Sequence, residues 1–313
     1  MPPRVLLAGP GSIAERVYLP LLASGGRVER ELLWARRPER AEAAARRWGF
    51  RRWSAEPIDA ALARRWREEG IVAAFVHVAT EAHAAVAVPL LEAGLAVYLD
   101  KPLAYRLEEA ERIVEAARRS GAPLVVGYNR RWAPLVEAAR AAVPGPVWVL
   151  AEKHRAVPGP FSALHDLWDD FVHPLDLAVQ LGADRLGWVQ ARCDDEGHLL
   201  RLVVGLEGEG PASAVVAMVR GAGADSERLE LWGAGGRSAR VEGLERLELA
   251  LPGQPGWLRR ESGAWESVAR RRGFEGAIAH FLGRVAAWRQ ADDGRSALRT
   301  ERLADEIRQR VGW

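Results

Sequence analysis

The stretch that decides the fold is residues 5–14, which read VLLAGPGSIA. Its first four apolar residues predict a buried strand, and the glycine-rich turn after them opens a helix predicted over Ala14–Ala23. Glycines in such a turn permit a tight bend and let backbone N–H groups approach a pyrophosphate at the helix N-terminus. The pattern G-x-G-x-x-A is weak evidence in isolation. Its place between a strand and a helix predicts dinucleotide binding through Gly9, Gly11, Ser12 and Ile13, with an ordinary glycine-rich turn as the alternative.

The first 130 residues continue this alternation of short apolar runs and helical segments rich in Ala, Arg and Glu. Continuous apolar strands separated by helices indicate a parallel sheet covered on both faces. The predicted strands are Val5–Ala8, Glu31–Ala35, Ile71–Ala79, Ala96–Leu99 and Leu124–Tyr128. The predicted helices are Ala14–Ala23, Pro38–Trp48, Ile58–Glu69, Ala82–Ala93 and Leu107–Ser120. We therefore expect residues 1–130 to form a doubly wound α/β domain of the Rossmann type.

After Trp132 the pattern changes to closely spaced strands, which indicates an antiparallel sheet. The predicted strands are Val147–Lys153, Arg185–Arg192, Leu199–Leu206, Ala212–Val219, Arg228–Trp232 and Leu244–Leu251. The predicted helices are Pro134–Val143, Asp170–Leu181, Phe274–Arg289 and Ala297–Arg310. We expect residues 131–313 to form a second α/β domain, whose C-terminal helices could pack back on the first.

Composition excludes several classes of function. A chain of 313 residues has room for two domains, and a formal net charge of +2 argues against nucleic acid or an anionic membrane as the main partner. A single cysteine excludes a disulfide framework and a multi-cysteine metal site. The first residues lack the long apolar run of a secretory signal, and no stretch reaches about 18 uninterrupted apolar residues. We expect a cytoplasmic protein that binds a small molecule.

Lysine is rare in this chain, which has 42 arginines but only two lysines, Lys101 and Lys153. At positions that need only an exposed positive charge, this chain uses arginine. A surviving lysine can mark a place that needs a compact, titratable ammonium. Chance retention is the alternative, so the scarcity only adds weight to these two positions.

The end of the second predicted strand bears on the choice of dinucleotide. NAD-preferring domains usually place an acid there for the ribose 2′-hydroxyl. This chain instead has Arg36 and Arg37 just after the strand. Guanidinium groups suit a 2′-phosphate through charge-assisted hydrogen bonds, so the sequence favours NADP over NAD. Two adjacent arginines are also common by chance in an arginine-rich chain.

Two further strand ends carry polar residues. Lys101 follows the strand Ala96–Leu99, where ligands bind in open α/β sheets, and Pro102 restricts it to extended geometry. Asn129, the only asparagine, follows the last strand of the first domain and could bind substrate or cofactor. A surface lysine and an asparagine in a turn are the corresponding alternatives.

Residues 165–176 combine histidine with aspartates, and no Arg or Lys occurs between Arg155 and Arg185. Helical spacing places Asp169, His173 and Asp176 in one arc. Carboxylates raise the pKa of a neighbouring histidine and fix its orientation, which suits general acid–base catalysis. Metal ligation and a structural histidine capped by carboxylates stay open as alternatives.

Four ordered motifs, GPGSIA, DKPL, GYNRRW and D-x-x-x-H-x-x-D, resemble those of the Gfo/Idh/MocA oxidoreductases over nearly the whole chain. The segments EKHR (152–155) and DDFVHPLD (169–176) look most like the virulence-factor MviM branch. Two departures affect the site. Asp100 stands where the family usually has Glu, and Leu164–Trp168 replaces the usual Gly-Gly.

The resemblance implies a Rossmann domain followed by a substrate-binding and oligomerisation domain with an open, mainly antiparallel sheet. It implies hydride transfer between NADP or NAD and a hydroxyl-bearing carbon of a sugar or polyol, with Lys101, His173 and Asp169 as catalytic residues. The expected cofactor-binding residues are Gly9, Gly11, Ser12, Ile13, Arg36, Arg37, Ala79, Thr80, His83 and Asp100. The expected substrate-binding residues are Asn129, Arg131, Lys153, Asp170 and Asp176.

The expected assembly is a homodimer or homotetramer, because the exposed face of an open sheet is normally covered by another subunit. No metal is expected. Two other functions stay open at this point. One is a dinucleotide-binding regulator without turnover, and the other is an NAD-dependent glycoside-cleaving enzyme.

Overall fold

A computed structural model describes residues 1–157, 162–288 and 293–313. The chain forms two compact units, residues 1–127 with 277–298 and residues 128–276 with 299–313. The predicted division into domains at residue 130 stays a prediction. The predicted end of a helix at Arg289 lies outside the described residues.

The first unit is built on six parallel strands in the order β3-β2-β1-β4-β5-β6. The strands are β1 (Arg4–Ala8), β2 (Glu29–Trp34), β3 (Arg52–Ser54), β4 (Ala73–Val76), β5 (Ala96–Leu99) and β6 (Leu124–Val126). Between them lie α1 (Leu19–Ala23), α2 (Pro38–Trp48), α3 (Ala60–Glu68), α4 (His83–Glu92) and α5 (Leu107–Ser120). The predicted doubly wound sheet is confirmed. Strand order reverses between β1 and β4, where ligands bind in such sheets.

One strand of this unit was not predicted, and one predicted strand is shorter in the structure. β3 was absent from the predicted strands because it has three residues with only Ser54 fully buried, so it shows no apolar run. The strand predicted over Ile71–Ala79 is shorter, and residues after Val76 leave the sheet.

The helix α4 stays regular around Pro89, but the other two helices predicted around an interior proline each contain a π-helical turn. One is Ala14–Tyr18, before Pro20 in α1, and the other is Leu167–Phe171, before Pro174. A proline ring clashes with the carbonyl four residues earlier, and here that carbonyl lies within the wider turn. Regular α-helix begins at Val172, close to the start predicted near Asp170, but helical backbone already begins at Ala163, which was not predicted.

Among its described residues, the second unit contains eight strands in the order β14-β13-β12-β11-β7-β10-β9-β8, of which only β7 and β10 pair in parallel. The strands are β7 (Trp148–His154), β8 (Arg185–Cys193), β9 (Leu199–Glu207), β10 (Ser213–Val219), β11 (Ser226–Gly233), β12 (Arg237–Glu242), β13 (Arg246–Ala250) and β14 (Leu258–Glu261). The mainly antiparallel sheet is confirmed. β12 and β14 were not predicted, because β12 is short and polar at alternate positions and all four residues of β14 are exposed.

Helices cover one face of this sheet. They are α6 (Pro134–Ala142), α7 (Ala163–Asp166) and α8 (Val172–Gln180), and the rest of the chain adds α9 (Val268–Arg271), α10 (Phe274–Ala287) and α11 (Arg295–Val311). The buried side of α8 and the turn before it pack Phe171 and Leu175 into a core with Val149, Val216 and Leu229. Truncating a buried leucine of this kind costs about 2–5 kcal/mol. Within the described residues, no helix is long and apolar enough to cross a membrane.

The opposite face of the sheet has a charged part and an apolar part. Across β11 to β14, directly paired residues form a ladder of alternating charge, Glu230, Arg240, Glu248 and Arg259. Beside this ladder, Trp148 and Trp232 pair across β7 and β11, and both are about two-fifths exposed.

Candidate functional site

The glycine-rich turn after β1 has the close packing that only glycine permits. Gly9 has a φ of +88°, and a Cβ there would lie 2.6 Å from the Val78 backbone nitrogen and 2.7 Å from the His77 carbonyl carbon. The turn therefore lies directly against the end of β4. Helical backbone follows at Ser12 and Ile13, as predicted for a phosphate-binding helix start.

A cleft of about 240 Å³ opens at this edge of the sheet in the first unit. It is lined by Gly9, Pro10, Gly11, Trp34, Ala35, Arg36, Arg37, Arg40, His77, Val78, Ala79 and Ala82. The glycines and the three arginines suit a pyrophosphate and a further phosphate, so these residues fit a dinucleotide. None of the described lining residues is acidic.

Arg40 and His77 line the cleft but were not predicted as site residues. Arg40, in the first turn of α2, donates a hydrogen bond from Nη2 to the Pro10 carbonyl at 3.3 Å. It lies three residues after Arg37, in the first turn of the helix that follows β2, and this nearness in the chain was the available signal. His77 is the first residue after β4, beside the point where strand order reverses, and that position was the available signal.

His83 is buried and its ring contacts backbone carbonyls. Nδ1 lies 2.9 Å from the Pro102 oxygen, and Nε2 lies 3.2 Å from the Val78 oxygen. Burial lowers the pKa of His83, which opposes its protonation at neutral pH. His83 thus fixes the segment that follows Lys101. Its predicted contact with the cofactor, like those of Ser12, Ile13, Thr80 and Asp100, stays a prediction.

Asp100 connects Lys101 to His77. Its Oδ1 accepts the Lys101 backbone N–H at 2.9 Å, and its Oδ2 lies 3.5 Å from His77 Nδ1. Burial alone would raise the pKa of Asp100, but the nearby His77 side chain and the charge of Lys101 lower it below its usual value. An anionic Asp100 therefore holds the backbone of the predicted catalytic lysine, and Lys101 itself is half-buried.

The Tyr18 ring packs on His77 with centroids 3.9 Å apart, and its hydroxyl lies 3.0 Å from that of Tyr98. These contacts restrict His77 to one position beside Asp100. The arrangement depends on side chains from the first helix, β4 and β5, which the linear spacing did not relate.

In the second unit, aspartates of the segment 165–176 pair with cations from other parts of the chain, although the segment itself contains no Arg or Lys. Asp170 binds Lys153 Nζ at 2.5 Å and accepts two hydrogen bonds from Arg155, at 2.9 and 2.6 Å. Arg220 bonds both Asp170 and Asp166. Burial opposes ionisation of Asp170, but Arg155 and Lys153 hold its pKa well below its usual range. The predicted substrate-binding pair Lys153 and Asp170 is thus a buried ion pair.

Lys153 has an unusual protonation equilibrium. Burial and the nearby Arg130 guanidinium lower its pKa from 10.5 to about 7. Between these two values the folded chain binds fewer protons than the unfolded chain, so this lysine makes the free energy of unfolding rise with pH from about 7 to 10.5. We expect urea unfolding of wild type and Lys153→Met to show a stability difference that shifts in favour of wild type over this window. A pH-independent difference would contradict it.

Asp176 and Arg131 form a second buried pair. Arg131 donates to both carboxylate oxygens of Asp176, at 2.8 and 2.5 Å, and Thr300 Oγ1 donates to Oδ1 at 2.9 Å. The Arg131 guanidinium also lies over the Tyr128 ring, and the Tyr128 hydroxyl donates to Glu301 at 2.6 Å. These bonds occupy the polar atoms that were predicted to bind substrate, a role that stays a prediction.

Asn129, Arg130, His173 and Glu227 lie together in this unit. Asn129 donates from Nδ2 to the Arg272 carbonyl at 2.6 Å and accepts from Arg130. Arg130 contacts His173 Nε2 at 3.2 Å and bonds both oxygens of Glu227. Asp169 is exposed, whereas His173 is buried. Sequence reasoning missed Arg130 and Glu227 because adjacent arginines look alike and Glu227 lies 97 residues away.

A metal site is not indicated in the described part of the chain, where no three His, Cys, Asp or Glu side chains are grouped to hold an ion.

The chain is similar to known oxidoreductases. The GFO_IDH_MocA model, described as an oxidoreductase family with an NAD-binding Rossmann fold, matches residues 3–128. The chain is 29% identical over 282 residues to putative oxidoreductase YceM of Salmonella typhimurium, covering 89% of this chain and 88% of that protein. It is 30% identical over 267 residues to myo-inositol dehydrogenase Hyg17 of Streptomyces leeuwenhoekii, covering 75% and 79%. The crystal structure of dehydrogenase MviM from Clostridium difficile superposes with a TM-score of 0.85 at 25% identity, covering 98% of each chain.

Proposed function

Since this chain belongs to the Gfo/Idh/MocA family of oxidoreductases, we propose that it is an NADP-preferring dehydrogenase or reductase acting on a hydroxyl-bearing carbon of a sugar or polyol. The resemblance noted from four sequence motifs, including that to the MviM branch, is confirmed. The observation that carries the cofactor preference is the arginine-rich end of the cleft in the first unit.

Arg36, Arg37 and Arg40 surround the place where β2 ends, and the described residues of the cleft offer no carboxylate to a ribose 2′-hydroxyl. A 2′-phosphate is a compact dianion that guanidinium groups bind through charge-assisted hydrogen bonds. A carboxylate at this position would repel it. The residues present therefore favour the phosphorylated dinucleotide.

The chain's own residues handle the substrate oxygen and its proton. When bound, the nicotinamide supplies the two-electron redox chemistry at the substrate carbon. Lys101 donates a hydrogen bond to the substrate oxygen and stabilises its negative charge. His173 accepts the hydroxyl proton in the oxidative direction and returns it in the reductive direction. Asp169, one helical turn earlier, orients the imidazole.

The substrate class follows from relatives that act on polyols. The Streptomyces leeuwenhoekii relative is named a myo-inositol dehydrogenase, which makes cyclitols and sugars the first compounds to screen. Parallel fluorescence titrations with NADPH and NADH, read by energy transfer from tryptophan, test the cofactor. Micromolar NADPH binding with much weaker NADH binding supports the proposal. A preference for NADH contradicts the assignment of Arg36 and Arg37, and binding of neither contradicts the proposed enzyme activity.

The double variant Arg36→Ala/Arg37→Ala tests the arginines directly. A hydrogen bond to a charged group contributes about 1.5–3 kcal/mol, so we expect NADPH affinity to fall at least ~10-fold and NADH affinity to change little. Arg46→Ala is the matched control, because Arg46 lies in α2, the helix that follows Arg36 and Arg37, is 80% exposed and pairs only with Glu42 among the contacts described. An equal loss for both cofactors would contradict a 2′-phosphate contact.

The uncovered sheet face supports the proposed homodimer or homotetramer. Trp148, Trp188 and Trp232 are 41%, 46% and 40% exposed in the single chain. Burying such rings stabilises association through the hydrophobic effect. Size-exclusion chromatography with light scattering is expected to give a multiple of 34.4 kDa, and a monomer mass would refute the assembly.

A further inference from the structure

The Arg130 guanidinium makes directional contacts with three side chains. Nη1 lies 3.1 Å from Asn129 Oδ1 and 3.2 Å from His173 Nε2. Nε and Nη2 donate to Glu227 Oε1 and Oε2 at 2.9 and 3.2 Å. The Arg130 side chain is only 6% exposed, so water contributes little to this arrangement.

The chemistry of this contact fixes the direction of its hydrogen bond. A guanidinium only donates, so His173 Nε2 must be the acceptor. A neutral imidazole has one N–H, which must then be on Nδ1. We propose that Arg130 is a positioning residue that keeps the lone pair of His173 on Nε2 and thereby makes Nε2 the proton-accepting atom.

Arg130 is itself held by two partners. Burial opposes ionisation of Glu227, but Arg130 and Lys153 lower its pKa to about 2, so the carboxylate stays anionic at neutral pH. Asn129 receives one Nη1 hydrogen and is tied to the Arg272 carbonyl through its own amide. With these donors committed, the second Nη1 hydrogen points at the imidazole. Glu227 therefore positions Arg130, and Arg130 positions His173.

The elements packed against α8 set the charge around His173. The turn Asn129–Trp132 brings Arg130 and Arg131, β7 brings Lys153, and the π-helical turn brings Asp169 and Asp170. Arg131 is paired with Asp176, and Lys153 with Asp170.

The catalytic consequence rests on the proposed role of His173. A substrate hydroxyl replaces the Arg130 N–H as the donor to Nε2. The O–H bond then breaks, its electron pair stays on oxygen, and the proton forms the new Nε2–H bond of an imidazolium. Because two N–H groups cannot share that position, Arg130 cannot keep its hydrogen bond to Nε2 while His173 is protonated.

Nitrogen-15 NMR of the 313-residue chain labelled at histidine tests the tautomer. The spectra are recorded at about pH 8.5 without cofactor or substrate, since imidazoles are neutral there unless strongly perturbed. The missing signals in His173→Gln assign the residue. His154 is an internal reference for the other tautomer. Its Nδ1 accepts the Val219 backbone N–H at 3.0 Å, so its proton is on Nε2. We expect a pyrrole-type Nδ1 and a pyridine-type Nε2 for His173. An Nε2–H tautomer or an even mixture in wild type would overturn the proposal.

Arg130→Gln is expected to convert His173 to a mixture of tautomers while His154 keeps its own. Arg240→Gln is the control, because Arg240 also pairs with glutamates but lies on the opposite face of the sheet. An unchanged His173 tautomer in folded Arg130→Gln would show that Arg130 does not set it. The wild-type spectrum is decisive even if this variant does not fold.

Kinetics separate this inference from the proposed activity. Once a substrate is found, Arg130→Gln should lower kcat by up to ~10²–10⁴-fold, the range that general acid–base catalysis contributes, with a smaller change in KM. If wild type shows the Nδ1–H tautomer but turns over no substrate, the proposed activity is refuted and the tautomer assignment stands. Unchanged kcat in a folded Arg130→Gln variant would overturn the catalytic part of the inference.

Discussion

Lys101→Met is expected to lower turnover by about 10²- to 10³-fold, the effect of removing one donor that stabilises a developing oxyanion. Methionine keeps an unbranched side chain of similar length and removes the ammonium. Asp100 would still accept the backbone N–H of residue 101, so the local backbone should persist. The NADPH dissociation constant should therefore stay within a few-fold of wild type.

Steady-state kinetics and NADPH titration of the same preparation check this result. Arg106→Met is the control, because Arg106 is a cation five residues further on with a side chain 74% exposed. We expect it to retain full activity. Full activity in Lys101→Met would remove Lys101 from the mechanism, whereas equal loss of turnover and NADPH binding would indicate a structural role.

Arg131→Ala is expected to destabilise the second unit by about 3–5 kcal/mol, because it leaves a buried carboxylate without its cation. The side chains of Arg131 and Asp176 are only 10% and 1% exposed. Thr300 would still donate a hydrogen bond to Asp176. Urea unfolding followed by tryptophan fluorescence measures the change.

Arg118→Ala is the matched control for this pair. Arg118 also makes two hydrogen bonds to one carboxylate, Glu115, at 2.8 and 2.7 Å, but both side chains are about half exposed or more. Solvent screens such a pair, so no measurable loss of stability is expected. If Arg131→Ala unfolded like wild type but raised KM, the predicted substrate-binding role would hold and the structural one would fail.

Lys101 was recognised from the sequence, through its rarity and its place at a strand end. The buried pairing of Arg131 became visible only in the folded chain, since its partner Asp176 lies 45 residues away.

The sequence by itself determined the first unit in outline. Its strands are continuous apolar runs and its helices alternate with them, so the local sequence is enough to predict which segments are buried. The turn Gly9–Gly11 could be located because glycine is required where the chain passes close to β4. Short or exposed strands such as β3 and β14 escaped prediction because pairing rather than apolar sequence defines them.

Only the tertiary structure decided which charges meet. Among 42 arginines, local sequence does not distinguish Arg130, which contacts His173, from an arginine on the exposed surface of a helix. Arg220 reaches Asp166 across 54 residues, and Arg130 reaches Glu227 across 97. Burial makes such pairs specific, because a carboxylate removed from water requires a cation at hydrogen-bonding distance. The chemistry of the histidine thus depends on long-range packing that no local pattern encodes.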